Sequence, residues 1–226
     1  MAAFWGHDWG MRHFLWRGLI AGVLALVLLP HGALAAPKPS PPKLSAADQA
    51  DVSRVEAYLN QVRVLKAGFT QVAPDGGLSE GLFYLSRPGR MRFEYAPPSP
   101  ILIVGDGTWV VVYDAETKQV DRVPIAATPI SVLVRDRVDL AKGSEVTGVR
   151  RRPGVLEITL VDPDNRDQGS ITLVFADQPL ELRQWLVIDS QNQITTVQLH
   201  DVVRDVRLDA KLFVFNDPPV TTQRTR

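Results

Sequence analysis

The residues that could do chemistry are few, and their spacing suits catalysis poorly. Beyond residue 35 the one histidine is His200, next to Asp201. Such a pair can orient an imidazole as general base for a serine, but no Gly-x-Ser-x-Gly elbow is present to present that serine. The alternating residues around His200 read as an exposed strand. Asp162, Asp164 and Asp167 in "VDPDNRDQGS" superficially resemble a calcium loop, yet the glycine and the bidentate glutamate are missing from their required positions. This stretch reads as a hairpin loop. "VGDG" lacks a third glycine and a following helix, so it reads as a tight turn at Asp106–Gly107 rather than a phosphate cradle. With no cysteine and so little histidine, a zinc-type donor set is short of ligands. No catalytic residue, metal or cofactor is expected, and the chain does not read as an enzyme.

One arginine has a more specific potential. "GLFYLSRPGRMRFEYAPP" (residues 81–98) sets two apolar strand-like runs around Arg-Pro-Gly-Arg. Pro88 and Gly89 fit the second and third positions of a type II turn. Arg87 is then either a solvated turn residue or a clamp. Its five donors can grip the free carbonyls at a helix C-terminus, which also favour a cation.

The elements that would position it alternate in a period of two. Runs starting near Leu65, Leu78, Met91, Ile101, Thr108, Gln119, Glu145, Gly154, Ser170, Leu180, Gln193 and Lys211 are separated by turn residues at roughly ten-residue intervals. This pattern predicts an antiparallel sheet of about 11 strands that curls into an incomplete barrel. Before it, Ser45 as N-cap and Val52, Val55, Leu59 and Val62 at spacings of three and four predict a helix lying on the sheet. Residues 127–143, opened by Thr128–Pro129, predict one or two short helices with Ile130, Leu133 and Val134 on one face.

Several strands are apolar on both faces. Leu82 and Tyr84 share one face of their strand, and Trp109, Val111 and Tyr113 share one of theirs. Leu180, Leu182, Leu186 and Ile188 fall together on a third strand, opposite Trp185 and Val187. Two-sided hydrophobicity means burial on both sides, by helices, a second layer or a ligand. Two helical segments are little cover for so large a sheet, so an apolar hollow is a serious alternative to a fully covered one.

The chain has 226 residues with 25 basic against 25 acidic side chains, which leaves no electrostatic footprint for nucleic acid. Arg12 and Arg17, the apolar run "GLIAGVLALVLL" and Ala33-Leu34-Ala35 read as a signal peptide over residues 1–35, with the true start at Met1 or Met11. Residues 36–44 read as a Pro-rich tether and 45–226 as a single domain. The exported chain has no cysteine for a disulfide or for an acyl anchor, so it is expected to be free in the periplasm.

In order and spacing, Phe69, Gln71, Gly81, Arg87, Pro88, Met91, Phe93, Tyr95, Asp106, Gly107 and Tyr113 resemble the LolA family of periplasmic lipoprotein carriers. "TPISVLV" is similar to that family's lid helix and "AKLFVFNDPP" to its C-terminal strand. The resemblance implies a mainly β fold with a few helices, an incomplete antiparallel barrel closed by a lid over a hydrophobic cavity. It implies a carrier that takes acylated lipoproteins from an inner-membrane ABC transporter and hands them to an outer-membrane acceptor. It makes Arg87 the lid latch and Met91 a partner contact. The cavity would be lined by Leu82, Tyr84, Met91, Phe93, Tyr95, Trp109, Val111, Ile130, Leu133, Leu182 and Leu186. A monomer without cofactor is expected. A carrier of another lipid, such as a hopanoid or glycolipid, and a lipoprotein-sensing regulator are the same-fold alternatives.

Overall fold

The computed structural model describes residues 43–140, 144–164 and 166–218. The signal peptide, and all of the tether before Lys43, lie outside the described residues. Helix α1 (Ala46–Gln61) starts as its capping box dictates: the Asp48 N–H donates to Ser45 Oγ at 3.1 Å, and the Ser45 N–H donates to Asp48 Oδ2 at 3.0 Å. Its stripe of Val52, Val55, Leu59 and Val62, widened by Tyr58, is buried.

Eleven strands follow: β1 (Val64–Val72), β2 (Leu78–Ser86), β3 (Arg90–Tyr95), β4 (Ile101–Asp106), β5 (Trp109–Asp114), β6 (Val120–Pro124), β7 (Glu145–Arg152), β8 (Val155–Val161), β9 (Gly169–Asp177), β10 (Leu180–Asp189) and β11 (Ile194–Arg204). They form one antiparallel sheet in the order β6-β5-β4-β3-β2-β1-β11-β10-β9-β8-β7, so the first and last hairpins meet through β1 and β11 while β6 and β7 are edges. Among the described residues between these edges in sequence lie a 3-10 turn (Ile125–Ala127) and a one-turn helix, α2 (Ser131–Val134).

One sheet face carries Leu65, Ala67, Phe69, Phe83, Leu85, Met91, Phe93, Val110, Leu156, Ile158, Leu173, Phe175, Leu182, Trp185, Val197 and Leu199. These pack with α1 and α2 as one core, so this is the covered, inner face. Its centre is aromatic. Phe93 lies 4.6 Å from Phe83 and 5.3 Å from Phe69, and Trp185 lies 5.6 Å from Phe83 between ring centroids.

The other, outer face has a cover of its own. Residues Ala210–Phe213 form a 3-10 turn, not the strand expected at "KLFVF", because they lie across the sheet rather than along an edge. Arg92 Nη1 donates to Leu212 O at 3.0 Å, the Arg90 guanidinium sits 5.7 Å from the Phe213 ring, and Phe215 packs 5.5 Å from Tyr113.

Candidate functional site: an arginine clamp beneath two helices

The β2–β3 turn brings Arg87 under both helices. Its peptide bond to Pro88 is cis, and Gly89, at the third position of the turn, takes the left-handed φ of +72° that closes the hairpin. Arg87 is only 5 % exposed. Its Nε donates to Leu133 O of α2 at 2.8 Å and its Nη1 donates to Leu59 O of α1 at 2.6 Å. Both acceptors lie in a last helical turn, where carbonyls lack intrahelical donors. The backbone of the same turn adds Gly89 N–H to Val134 O at 2.7 Å and Arg87 N–H to Arg63 O at 2.9 Å. Burial lowers the Arg87 pKa to about 10, and the neighbouring Arg63 charge adds to the push. The group stays cationic at neutral pH, held by neutral carbonyl dipoles.

A second set of contacts, which sequence reasoning missed, ties α1 to the segment after α2. Arg63 donates to Asp136 twice, through Nη1 to the backbone oxygen at 2.5 Å and through Nη2 to Oδ1 at 2.6 Å. Asn60 Nδ2 donates to Val138 O at 2.9 Å, and the Val138 N–H returns a bond to Asn60 Oδ1 at 2.9 Å. The Leu140 N–H donates to Glu56 Oε1 at 2.6 Å. Glu56, Asn60 and Arg63 recur at spacings of four and three beside the apolar stripe, a flank that sequence alone cannot tell from a solvated one.

Below the clamp, motif residues far apart in sequence converge. Tyr95 Oη donates to Gln71 Oε1 at 2.8 Å, and Phe69 meets Tyr95 edge-on at 5.1 Å. Gly81 is required there: a Cβ would stand 2.0 Å from the Glu94 carbonyl oxygen and 2.8 Å from the Phe69 ring.

The family model for outer membrane lipoprotein carrier protein LolA matches residues 60–216. This chain belongs to the LolA family. Among LolA relatives, the outer-membrane lipoprotein carrier protein of Pseudomonas aeruginosa is 31 % identical over 77 % of this chain and 87 % of its own. That of Chromohalobacter salexigens is 29 % identical over 92 % of this chain and 95 % of its own. Among solved structures, a LolA superfamily protein from Nitrosomonas europaea has 11 % identity and a TM-score of 0.41, covering 72 % of this chain and 97 % of its own.

Of the residues expected to line a LolA-type cavity, Met91, Phe93, Tyr95, Ile130, Leu133 and Leu182 belong to or pack on the inner core. Leu82, Tyr84, Trp109, Val111 and Leu186 are corrected to the outer face. The reason is period-two alternation counted from the wrong face: Phe83, Val110 and Trp185, their sequence neighbours, point inward. Leu82 and Trp109 are 39 % and 42 % exposed. On β10 a bulge adds to the error. Leu182 opposes Phe175 and Trp185 opposes Leu173, so the register shift between Leu182 and Gln184 puts Leu182 and Trp185 on one face. Met91, expected to meet partners, is 1 % exposed. His200 is exposed, its Nδ1 3.0 Å from Asp201 Oδ2. Asp106 Oδ1 accepts from the Thr108 and Trp109 N–H groups at 2.8 Å each, the turn expected there. No helix among the described residues is long and apolar enough to cross a membrane.

Proposed function

We propose that this chain is a periplasmic carrier that shields the acyl chains of lipoproteins released by an inner-membrane ABC transporter and delivers them to an outer-membrane acceptor. The observation that carries this reading is the buried Arg87, bonded to the ends of both helices over an apolar sheet face. Shielding an acyl chain is worth about 0.8 kcal/mol per CH₂. A carrier holding several chains needs a counterweight that favours the empty, closed form, or it would never let go. The Arg87 clamp supplies it: a ligand opens the cover by differential binding, and re-formation of the clamp favours release. The inner face is filled by its own side chains when closed, so a ligand displaces α2 and occupies Met91, Phe93, Ile130 and Leu133 contacts. The protein acts as a monomer in this scheme and carries out no bond-making step.

The test is lipoprotein release from energised spheroplasts. Protein from Ala36 onward is added, and triacylated lipoproteins are sought in the soluble fraction in one-to-one complex with it. Their appearance is expected. Their absence, with a different lipid co-purifying, would move the function to lipid traffic.

A further inference from the structure

We infer that Gln71 binds the carbonyl oxygen of an acyl linkage, so that the ligand lies with its linkage at Gln71 and its hydrocarbon over Phe69 and Phe93. This rests on the carrier reading above for what the ligand is, and adds which way round it sits. The inner-face residues of β1 run Leu65, Ala67 and Phe69, all buried and apolar, and then reach Gln71. The change recurs on both neighbouring strands. On β2 the inner face passes from Phe83 to Gly81 and then to Ser79, which stands opposite Gln71. On β11 it passes from Val197, also opposite Gln71, to Thr195. Gln71 lies about 20 Å along β1 from Leu65, at about 3.3 Å per residue. An apolar face that ends in a polar row has the polarity gradient of an amphiphile, with hydrocarbon at one end and a polar linkage at the other.

Gln71 is 8 % exposed, and its amide is oriented by a contact across a gap in the lining of the sheet. Gly81 places no side chain between β1 and β3, so Tyr95 reaches over it and donates to Gln71 Oε1 at 2.8 Å. That bond occupies the amide oxygen and leaves both donors of Nε2. No group among the described residues accepts from them. Nor is Nε2 sealed in. Among the described residues Glu145 Oε1 is the one fully enclosed side-chain polar atom without a partner, so Nε2 borders open space. Hydrocarbon laid over Nε2 would strip it of water and offer no acceptor, which is unfavourable. The carbonyl of the ester or amide that joins a chain to its head group supplies the acceptor. One placed polar group in an otherwise apolar site fixes the orientation of what binds there.

Infrared spectroscopy reads this bond directly, using a triacyl lipopeptide isotope-labelled either at its ester carbonyls or at its N-acyl amide carbonyl. One labelled band is expected at lower frequency in complex with the wild type than in complex with Gln71→Met, which has no donor. Whichever label moves identifies the linkage as ester or amide. Tyr95→Phe separates binding from support, because it breaks the Tyr95–Gln71 pair but keeps the Nε2 donors. The low-frequency band should persist in Tyr95→Phe and be lost in Gln71→Met, whose affinity should fall about fivefold, the net worth of one hydrogen bond. Neither band differing between wild type and Gln71→Met, or both variants losing the shift alike, would overturn the inference. Wild-type protein that binds no lipopeptide refutes the carrier reading alone. The same variants are then compared with diacylglycerol labelled at its ester carbonyls, and failure of the wild type to bind that probe, or an unmoved band, refutes the Gln71 subsite as well.

Discussion

Replacing Arg87 by leucine should tighten ligand binding rather than weaken it. The closed form loses two hydrogen bonds from a charged donor, to Leu133 O and Leu59 O. At about 1.5–3 kcal/mol each, that is roughly 3–6 kcal/mol. Against this stands the cost of keeping the guanidinium dry. Burial lowers its pKa to about 10, which at about 1.36 kcal/mol per pKa step is about 3 kcal/mol. The net loss from the closed form is therefore small, about 1–2 kcal/mol, or on the order of tenfold in the closed-to-open ratio. Since the ligand binds the open form, its apparent affinity rises by the same factor and its transfer to acceptor membranes slows. Titration with a dansylated triacyl lipopeptide, and its transfer to liposomes, measure both. The melting temperature should fall by only about 3–6 °C. A fall well beyond 10 °C with weaker binding would show Arg87 to be a strut of the fold and refute the clamp. The pH dependence follows from the same numbers. The folded value lies below the unfolded one, so the desolvation cost is complete below about pH 10 and fades as pH rises above it. The stability difference between wild type and Arg87→Leu should be flat from about pH 6 to 9, with the wild type gaining above about pH 10.

Other substitutions test the rest of the site. Leu82→Ser and Trp109→Ser, on the exposed outer face, should leave lipopeptide affinity within about twofold, whereas Met91→Ala should weaken it by about tenfold or more and cost about 2–3 kcal/mol of stability. Equal effects on both faces in that titration would show the inner-face assignment to be wrong. Gly81→Ala should cost about 2 kcal/mol or more in denaturant unfolding, because its new methyl meets the Glu94 carbonyl rather than a side chain that can turn away. Tyr95→Phe should cost about 1 kcal/mol at pH 7 by leaving Gln71 without its donor. Burial raises the Tyr95 pKa from 10.0 to about 12, so wild-type stability drops across that range as the unfolded chain ionises first. The phenylalanine variant is spared this loss of up to about 2–3 kcal/mol, and unfolding curves at pH 7, 9 and 11 should show the gap closing.

Most of the fold was legible because its signals are local. Ser45 and Asp48 announce the helix start, and the turn residues mark eleven strand ends within a residue or two. What the sequence could not carry is which face of a two-sided strand looks inward. Leu82 and Phe83 are equally apolar, and the difference is set by Phe69 and Phe93 across the sheet, 5.3 Å apart. A bulge such as that at Leu182–Gln184 leaves no mark in composition yet inverts half a strand. The Glu56, Asn60 and Arg63 clasp was illegible for another reason. Its acceptors and donors on residues 136–140 are mostly backbone groups, which have no sequence identity.

The two-sided hydrophobicity that suggested a hollow has a different explanation on each side. On the outer face, Tyr84, Val104 and Val111 are buried on the side crossed by the C-terminal segment. That segment is held by Phe215 against Tyr113, by Arg92 to Leu212 O, and by an ion pair between Arg122 and Asp217. The Arg122–Asp217 pair joins charge to countercharge near water, and Arg92, which also donates to Leu212 O, has Glu94 Oε1 at 2.6 Å as its countercharge. On the inner face the cover is pinned by a desolvated cation with carbonyls as its partners, so a large favourable contribution is nearly matched by a large unfavourable one. A cover held that way opens for about the free energy of burying a few methylenes, although many contacts form when it closes. The outer cover lacks such an internal opposition and should stay in place. One sheet thus carries two covers of different reversibility, and the difference lies in whether the arginine that pins each has a countercharge: Arg92 has Glu94, whereas Arg87 has carbonyls alone.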